Sequence, residues 1–215
     1  LWESHRLGVA TLLQGLPPTE KLTLIGPSAG YSLPESFLQK YESITCIDPD
    51  RSAPMLFKNN FPHLKSLKWD RENYFFKKGQ LNFDGLEKLA SKYEGQTLLF
   101  CNFLGQLPLL IKKQQPGWEK NFQVLFADNF KNHNWASYHD VVSSTLKPNI
   151  ENWNREKALG FKEFPKELFF NLHEETIIHD HHSLNLVPTL DNYAYWRWEI
   201  TPGHWHVIEG TRHII

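Results

Sequence analysis

Leu22-Thr23-Leu24-Ile25, Gly26-Pro27-Ser28-Ala29-Gly30 and, further on, Ile44-Thr45-Cys46-Ile47-Asp48-Pro49-Asp50 decide the fold of this chain. Two apolar runs of strand length flank a glycine-bounded turn, with room between them for about three turns of helix. This is the pattern of a right-handed βαβ unit whose turn opens onto the helix N-terminus. Free backbone N–H groups and the positive end of the helix dipole are then expected at the carboxyl edge of a parallel sheet. Asp48 closes the second run, where an acid commonly grips a ribose hydroxyl. The stretch reads as a nucleotide or nucleoside pocket, with Asp48 solvated when that pocket is empty.

Upstream, Val9, Leu12, Leu13 and Leu16 recur at helical spacing, and Pro17-Pro18 stops the helix. Within the unit, Ser32 and Glu35 form a capping-box pattern and Pro34 suits a first turn, with Phe37, Leu38 and Tyr41 as the buried stripe. A short helix is expected over 53–59 and a third strand over 64–69, followed by Asp70. Residues 71–83 read as loop, anchored by Tyr74, Phe75 and Phe76. Asp84 with Glu87 begins a helix whose apolar face is Leu86, Leu89, Ala90 and Tyr93. Residues 97–101 form a continuous apolar run, as in central parallel strands buried on both faces, and end in Asn102-Phe103-Leu104-Gly105. Another helix is expected over 107–113 and a fifth strand over 122–127, ending at Asp128. Residues 131–175 mix helical pieces with breakers and are not assigned. Residues 194–200 and 205–211, joined by Thr201-Pro202-Gly203-His204, read as a hairpin.

The chain has 215 residues, enough for one α/β domain, with 131–190 as a substrate-side elaboration. Its 40% hydrophobic and 22% charged content is that of a globular protein. A formal charge of −1 gives no overall pull toward nucleic acid or an anionic membrane, and Lys112-Lys113 reads as a solvated helix end. No apolar run approaches the length needed to span a bilayer, and no signal-peptide pattern is present. Cys46 and Cys101 both sit in apolar runs and read as buried thiols, which points to a reducing, cytoplasmic setting. Nine of the eleven His and most of the Trp fall in the second half.

Five strand–helix pairs followed by an antiparallel hairpin resemble the class I S-adenosylmethionine-dependent methyltransferases. The resemblance implies an α/β fold: a Rossmann-like, mostly parallel sheet with helices on both faces and a C-terminal antiparallel hairpin whose last strand inserts antiparallel to its neighbours. It implies S-adenosylmethionine as cofactor. Gly26, Ser28 and Gly30 stand where the family's glycine-rich first motif approaches the methionine moiety. Asp48 stands where an acid binds the ribose hydroxyls, and Pro49 where an apolar side chain packs on adenine. Asp70 matches the acid that meets the adenine amino group, and Asn102 ends the strand nearest the reacting methyl. Two positions depart from the pattern: Leu24 replaces an acid before the first glycine, and Ser28 replaces the middle glycine. Asn102-Phe103-Leu104-Gly105 also lacks the Asn-Pro-Pro-aromatic pattern of amide and base N-methyltransferases, so the methyl acceptor stays unassigned. No catalytic side chain is singled out.

The same residues admit other readings. Loss of the motif acid and of one glycine is what a non-catalytic binding or scaffold domain on this fold would show. Gly26-Pro27-Ser28-Ala29-Gly30 also matches the G-x-S-x-G nucleophile elbow, with Asp128 or Asp140 and a later histidine to complete a triad. An elbow normally follows several strands, however, and no oxyanion loop rich in glycine and histidine lies upstream. His179 with His181, and His204 with His206, would each share a face within a strand, and together offer enough imidazoles for zinc or iron. With Asp180 and His182 adjoining and no cysteine nearby, they read as loop decoration, and no metal is expected.

Overall fold

The computed structural model describes residues 2–17, 19–111, 117–150, 152–155, 170, 177–187 and 193–215. In chain order the first elements are α1 (Glu3–Leu13), β1 (Lys21–Ile25), α2 (Glu35–Leu38), β2 (Ser43–Ile47), α3 (Ala53–Asn60) and β3 (Leu67–Asp70). There follow β4 (Phe76–Lys77), β5 (Gln80–Leu81), α4 (Phe83–Lys92), β6 (Thr97–Cys101), a 3-10 turn (Leu104–Gln106), α5 (Leu107–Leu110) and α6 (Trp118–Phe130). The last elements are β7 (Trp135–Ser144), β8 (Asn152–Arg155), β9 (Ile178–Asp180), β10 (Tyr193–Thr201) and β11 (His204–His213).

The main sheet runs β3-β2-β1-β6-β7-β11-β10-β8, with β9 also paired to β7. Strands β3, β2, β1, β6 and β7 are mutually parallel. The last strand, β11, inserts between β7 and β10 and is antiparallel to both. A mostly parallel sheet ending in a hairpin whose last strand inserts antiparallel is what the resemblance implied.

Apolar alternation explains why helices cover both faces. On β6, Leu99 and Cys101 join the cluster under α1, α2 and α3, while Leu98 and Phe100 join the cluster under α4, α5 and α6. A strand buried on both faces must be apolar throughout, hence the unbroken run at 97–101. Both cysteines are buried and unpaired, as expected. No helix among the described residues is long and apolar enough to cross a membrane.

Several local expectations are corrected. The helix after the glycine turn is one turn long, because residues 27–33 are consumed by consecutive turns: the Gly30 N–H bonds to the Pro27 carbonyl, and the Leu33 N–H to the Gly30 carbonyl. Ser32 forms no capping box and instead shares a hydrogen bond with the Tyr138 hydroxyl (2.7 Å). A one-turn helix starting at Glu35 brings no appreciable dipole to the turn, and the free N–H groups expected there are taken at three positions: Gly26 donates to the Ile47 carbonyl, Ser28 to the Asp48 carboxylate and Gly30 to the Pro27 carbonyl. The helix expected over 107–113 is the short α5, and the basic pair Lys112-Lys113 lies outside the described residues. No side chain among the described residues caps α4, which begins at Phe83, ahead of the expected Asp84. The loop at 71–83 holds a small hairpin, turned at Lys78-Gly79 with both residues at positive φ, while Tyr74 and Phe75 are the buried anchors.

The largest correction concerns 122–127, which is helix and not strand. Trp118, Phe122, Phe126 and Phe130 recur every fourth residue, and all four are buried in α6. The fifth strand of the sheet is β7, in the stretch the sequence left unassigned. Its buried residues include Ser137, His139 and Asp140, polar side chains that mask the strand pattern.

Candidate functional site

The chain crosses from β1 to β2 to β3 on one side and from β6 to β7 on the other, so strand order reverses between β1 and β6. In open α/β sheets, a reversal of this kind opens a crevice at the strand carboxyl ends. Gly26 and Asn102 leave the sheet at that point. Both have positive φ (68° and 51°), and each N–H is tied to the adjacent strand, Gly26 to the Ile47 carbonyl and Asn102 to the Tyr138 carbonyl. Phe103 packs on Gly26 so closely that a Cβ there would lie 3.0 Å from the Phe103 Cβ. Positive φ and this close approach both favour glycine at 26.

Asp48 sits beside the turn. Its Oδ2 accepts the Ser28 N–H (2.8 Å) and its Oδ1 the Asp50 N–H (2.9 Å). Asp48 is 7% exposed, so the expectation of a solvated group is corrected: its carboxylate organises the turn even without a ligand. Each oxygen keeps a second lone-pair direction. Ser28 has φ of 49° and is exposed, as is Pro49. From α3, the Asn60 amide donates to the Ala29 carbonyl (2.8 Å) and holds the far side of the turn.

Asp70 ends β3, and its Oδ2 accepts from Lys92 (2.7 Å), Tyr74 (2.6 Å) and Tyr93 (2.6 Å). Its Oδ1 accepts the Glu72 N–H (2.9 Å). Burial alone would raise this carboxyl; the Lys92 ammonium and the two phenols more than offset it and hold it well below the usual carboxylate range. Asn102 is committed through Oδ1, which accepts the Asp140 N–H (3.1 Å).

Beyond the end of β6, its lane beside β7 is taken by β9, and the His181 N–H bonds to the Val141 carbonyl. An irregularity in the β7–β11 register, with Val207 opposite Val142 and Ile208 opposite Asp140, leaves Val141 without a counterpart on β11 and re-aims the flanking side chains. Asp140 thereby meets two imidazoles, with His181 Nδ1 at 3.0 Å and His206 Nδ1 at 3.1 Å from the same oxygen, Oδ2. Burial would raise the Asp140 carboxyl, and the two histidines reverse that and hold it well below its ordinary value. His179 and His204 are exposed and take no part. Trp198 lies beside His206, with ring centroids 5.7 Å apart, and stacks on His5 at 4.3 Å. His5 accepts the Trp196 indole N–H (3.0 Å), and burial keeps its pKa near 3, so it stays neutral.

A polar layer backs Asp140. Ser183 donates to the Asp140 carbonyl (2.7 Å), and His139 Nε2 donates to the Ser183 carbonyl (3.0 Å) and lies 3.5 Å from Glu209. Glu209 is fully buried and accepts from Tyr195 (2.5 Å) and the Asn185 N–H (3.0 Å). Burial pushes its carboxyl up to about 7 from an ordinary 4.5. The folded state therefore holds this proton more tightly, so the group's stability contribution is complete below pH 4.5 and is lost as pH rises through about 7. Glu209→Gln keeps the shape and removes the titration. In urea melts its stability relative to wild type should improve by about 3 kcal/mol between pH 4.5 and pH 8. A constant difference across that range would show that Glu209 is not the group responsible.

Of the residues singled out in the sequence, Gly26, Ser28, Gly30 and Asp48 come together at one turn. His181 and His206 figured there together among candidate metal ligands, and Asp140 only as a triad acid, because Asp140 comes from a distant part of the chain. Asp128 lies exposed on α6, and among the described residues no histidine hydrogen-bonds to Ser28.

The sequence matches no family model and no curated protein. Similar solved structures include the N-methyltransferase NodS from Bradyrhizobium japonicum WM9 in complex with S-adenosyl-L-homocysteine, at TM-score 0.49 and 11% identity over 99% of this chain and 87% of that one. A DhpI–SAH complex aligns at TM-score 0.41 and 8% identity, over 94% and 81%. A putative zinc-dependent alcohol dehydrogenase from Rhodobacter sphaeroides aligns at TM-score 0.41 and 10% identity; this chain spans 46% of its length. At such scores the likeness carries no functional weight, and the fold assignment rests on the strand order itself.

Proposed function

We propose that the chain is an S-adenosylmethionine-dependent methyltransferase acting on an acceptor not yet assigned. The observation that carries this reading is the Ser28–Asp48 pairing. A glycine-bounded turn and an acid from the neighbouring strand meet at the switch point of a sheet whose last strand inserts antiparallel. The donor set fits such a cofactor. Asp48 has two lone-pair directions left for two ribose hydroxyls, and the exposed Pro49 ring offers an apolar face to adenine. Asp70 Oδ1 keeps room for one amino donor, while the backbone from Gly26 to Gly30 lines the methionine side. Asn102 marks the edge where the acceptor enters. When bound, the cofactor would supply a methyl group for in-line displacement, so the protein's task is chiefly to position two reactants.

The domain is one unit in this reading, with 131–190 forming the acceptor side through the far half of β7 and through β9. Two buried, unpaired cysteines support a cytoplasmic setting. A net charge of −1 argues against a nucleic-acid acceptor, and membrane association has no support.

Ser28 separates this reading from an esterase. Ser28→Gly relieves a left-handed residue and should raise stability by about 0.5–1 kcal/mol while keeping or improving S-adenosylmethionine binding. Loss of cofactor binding in that variant, or turnover of an activated ester by wild type that the variant lacks, would count against a methyltransferase. Cofactor binding to the purified chain tests the reading as a whole.

A further inference from the structure

Asp140, His181 and His206 lie on three different segments, and each offers one ligand atom, all within 4.8 Å of one another. Two features of the cluster are unexplained by hydrogen bonding alone. Asp140 is 9% exposed, yet its Oδ1 has no hydrogen-bond partner among the described residues, and the buried His181 Nδ1 has none either, although it lies 3.0 Å from Oδ2. Two imidazole Nδ1 atoms crowd one anionic oxygen, an arrangement that is favourable with a shared cation at its centre. The other ring nitrogen of His181 is fixed by Ser143 Oγ at 3.0 Å, leaving Nδ1 to point at Asp140. That is how a metal-ligating histidine is usually oriented. Backbone pairing on both sides of β7 holds all three residues in place.

We propose that Asp140, His181 and His206 are the protein ligands of a divalent first-row transition ion, with zinc as the reference case. Two imidazoles and a carboxylate are a recurring donor set for zinc and for non-haem iron. Three protein ligands leave at least one coordination position for water or an oxygen of a second molecule. Trp198, whose indole N–H is buried without a hydrogen-bond partner among the described residues, sits beside His206 and can donate to a molecule held there. The Asn102–Asp140 hydrogen bond links this cluster to the carboxyl edge of β6, so the ion would stand on the acceptor side of the proposed cofactor cleft. The site is independent of the methyltransferase reading, since its ligands include none of the residues assigned to the cofactor.

Titration of the chelator-treated full chain with Co²⁺, followed by visible absorption, and competition with Zn²⁺ test this directly. One tight site per chain is expected, with the intense bands of a low-coordinate Co²⁺. Asp140→Asn and His206→Gln should each weaken it at least about 100-fold, and Ser143→Ala about 10-fold. His179→Ala and His204→Ala should leave it intact, which excludes adventitious binding to exposed histidines. Should a ligand variant fail to fold, X-ray absorption of zinc-loaded wild type decides the matter: a shell with two imidazoles and oxygen supports the site. No saturable Co²⁺ binding, binding that survives Asp140→Asn, or a shell without two imidazoles overturns it. S-adenosylmethionine binding is a separate titration, and the metal site stands or falls without it.

Discussion

Asp48→Ala should cost the protein on two counts, with or without ligand. The empty turn loses a carboxylate that accepts the Ser28 and Asp50 N–H groups, so stability should fall by about 2–4 kcal/mol, given about 1.5–3 kcal/mol per charged hydrogen bond and incomplete additivity. S-adenosylmethionine affinity should fall by a similar energy, about 30- to 1,000-fold, because both ribose acceptors go and the turn loosens. Urea denaturation and calorimetry read the two effects separately. Asp48→Asn, which retains one acceptor oxygen, should lie between wild type and alanine on both scales. A variant with unchanged melting and unchanged affinity would remove Asp48 from the site.

Phe126→Ala should destabilise the fold by about 3–5 kcal/mol, the usual cost of deleting a buried ring. Phe126 is fully buried and packs against Phe100 (centroids 5.2 Å apart), Phe130 (4.6 Å) and Trp135 (5.2 Å). Val124, two residues away, is 54% exposed, so Val124→Ala should change stability by less than about 0.5 kcal/mol. The contrast tests the secondary structure. A strand over 122–127 would put residues 122, 124 and 126 on one face, whereas α6 buries 122, 126 and 130 and exposes 124. Comparable losses from both substitutions would restore the strand.

The sequence carried the first four parallel strands because its signals there are local. Short apolar runs bounded by Gly26, Pro49, Gly95 and Asn102 allow little besides strands between turns. It failed at α6 because the run Phe122 to Ala127 is strand-like in a six-residue window, and only the longer Trp118–Phe130 spacing shows a helix. It missed β7 because this strand buries Ser137, His139 and Asp140, whose partners Ser183, Glu209, His181 and His206 arrive from far along the chain. Buried polar networks assembled from distant segments leave no periodic trace. The Gly26–Gly30 turn and Asp48, built from one βαβ unit, were therefore legible together, and the cluster around Asp140 was not. The loss of an extended helix after the turn was equally hidden, since consecutive turns over 27–33 and the Ser32–Tyr138 contact depend on tertiary packing.

Calorimetric titration of the folded wild-type chain with S-adenosylmethionine, and in parallel with S-adenosylhomocysteine, decides whether the Gly26–Gly30 turn and Asp48 hold this cofactor. One saturable site per chain is expected for both compounds, weakened in Asp48→Ala and preserved in Ser28→Gly. A folded chain that takes up neither compound, or binding indifferent to Asp48, would contradict it.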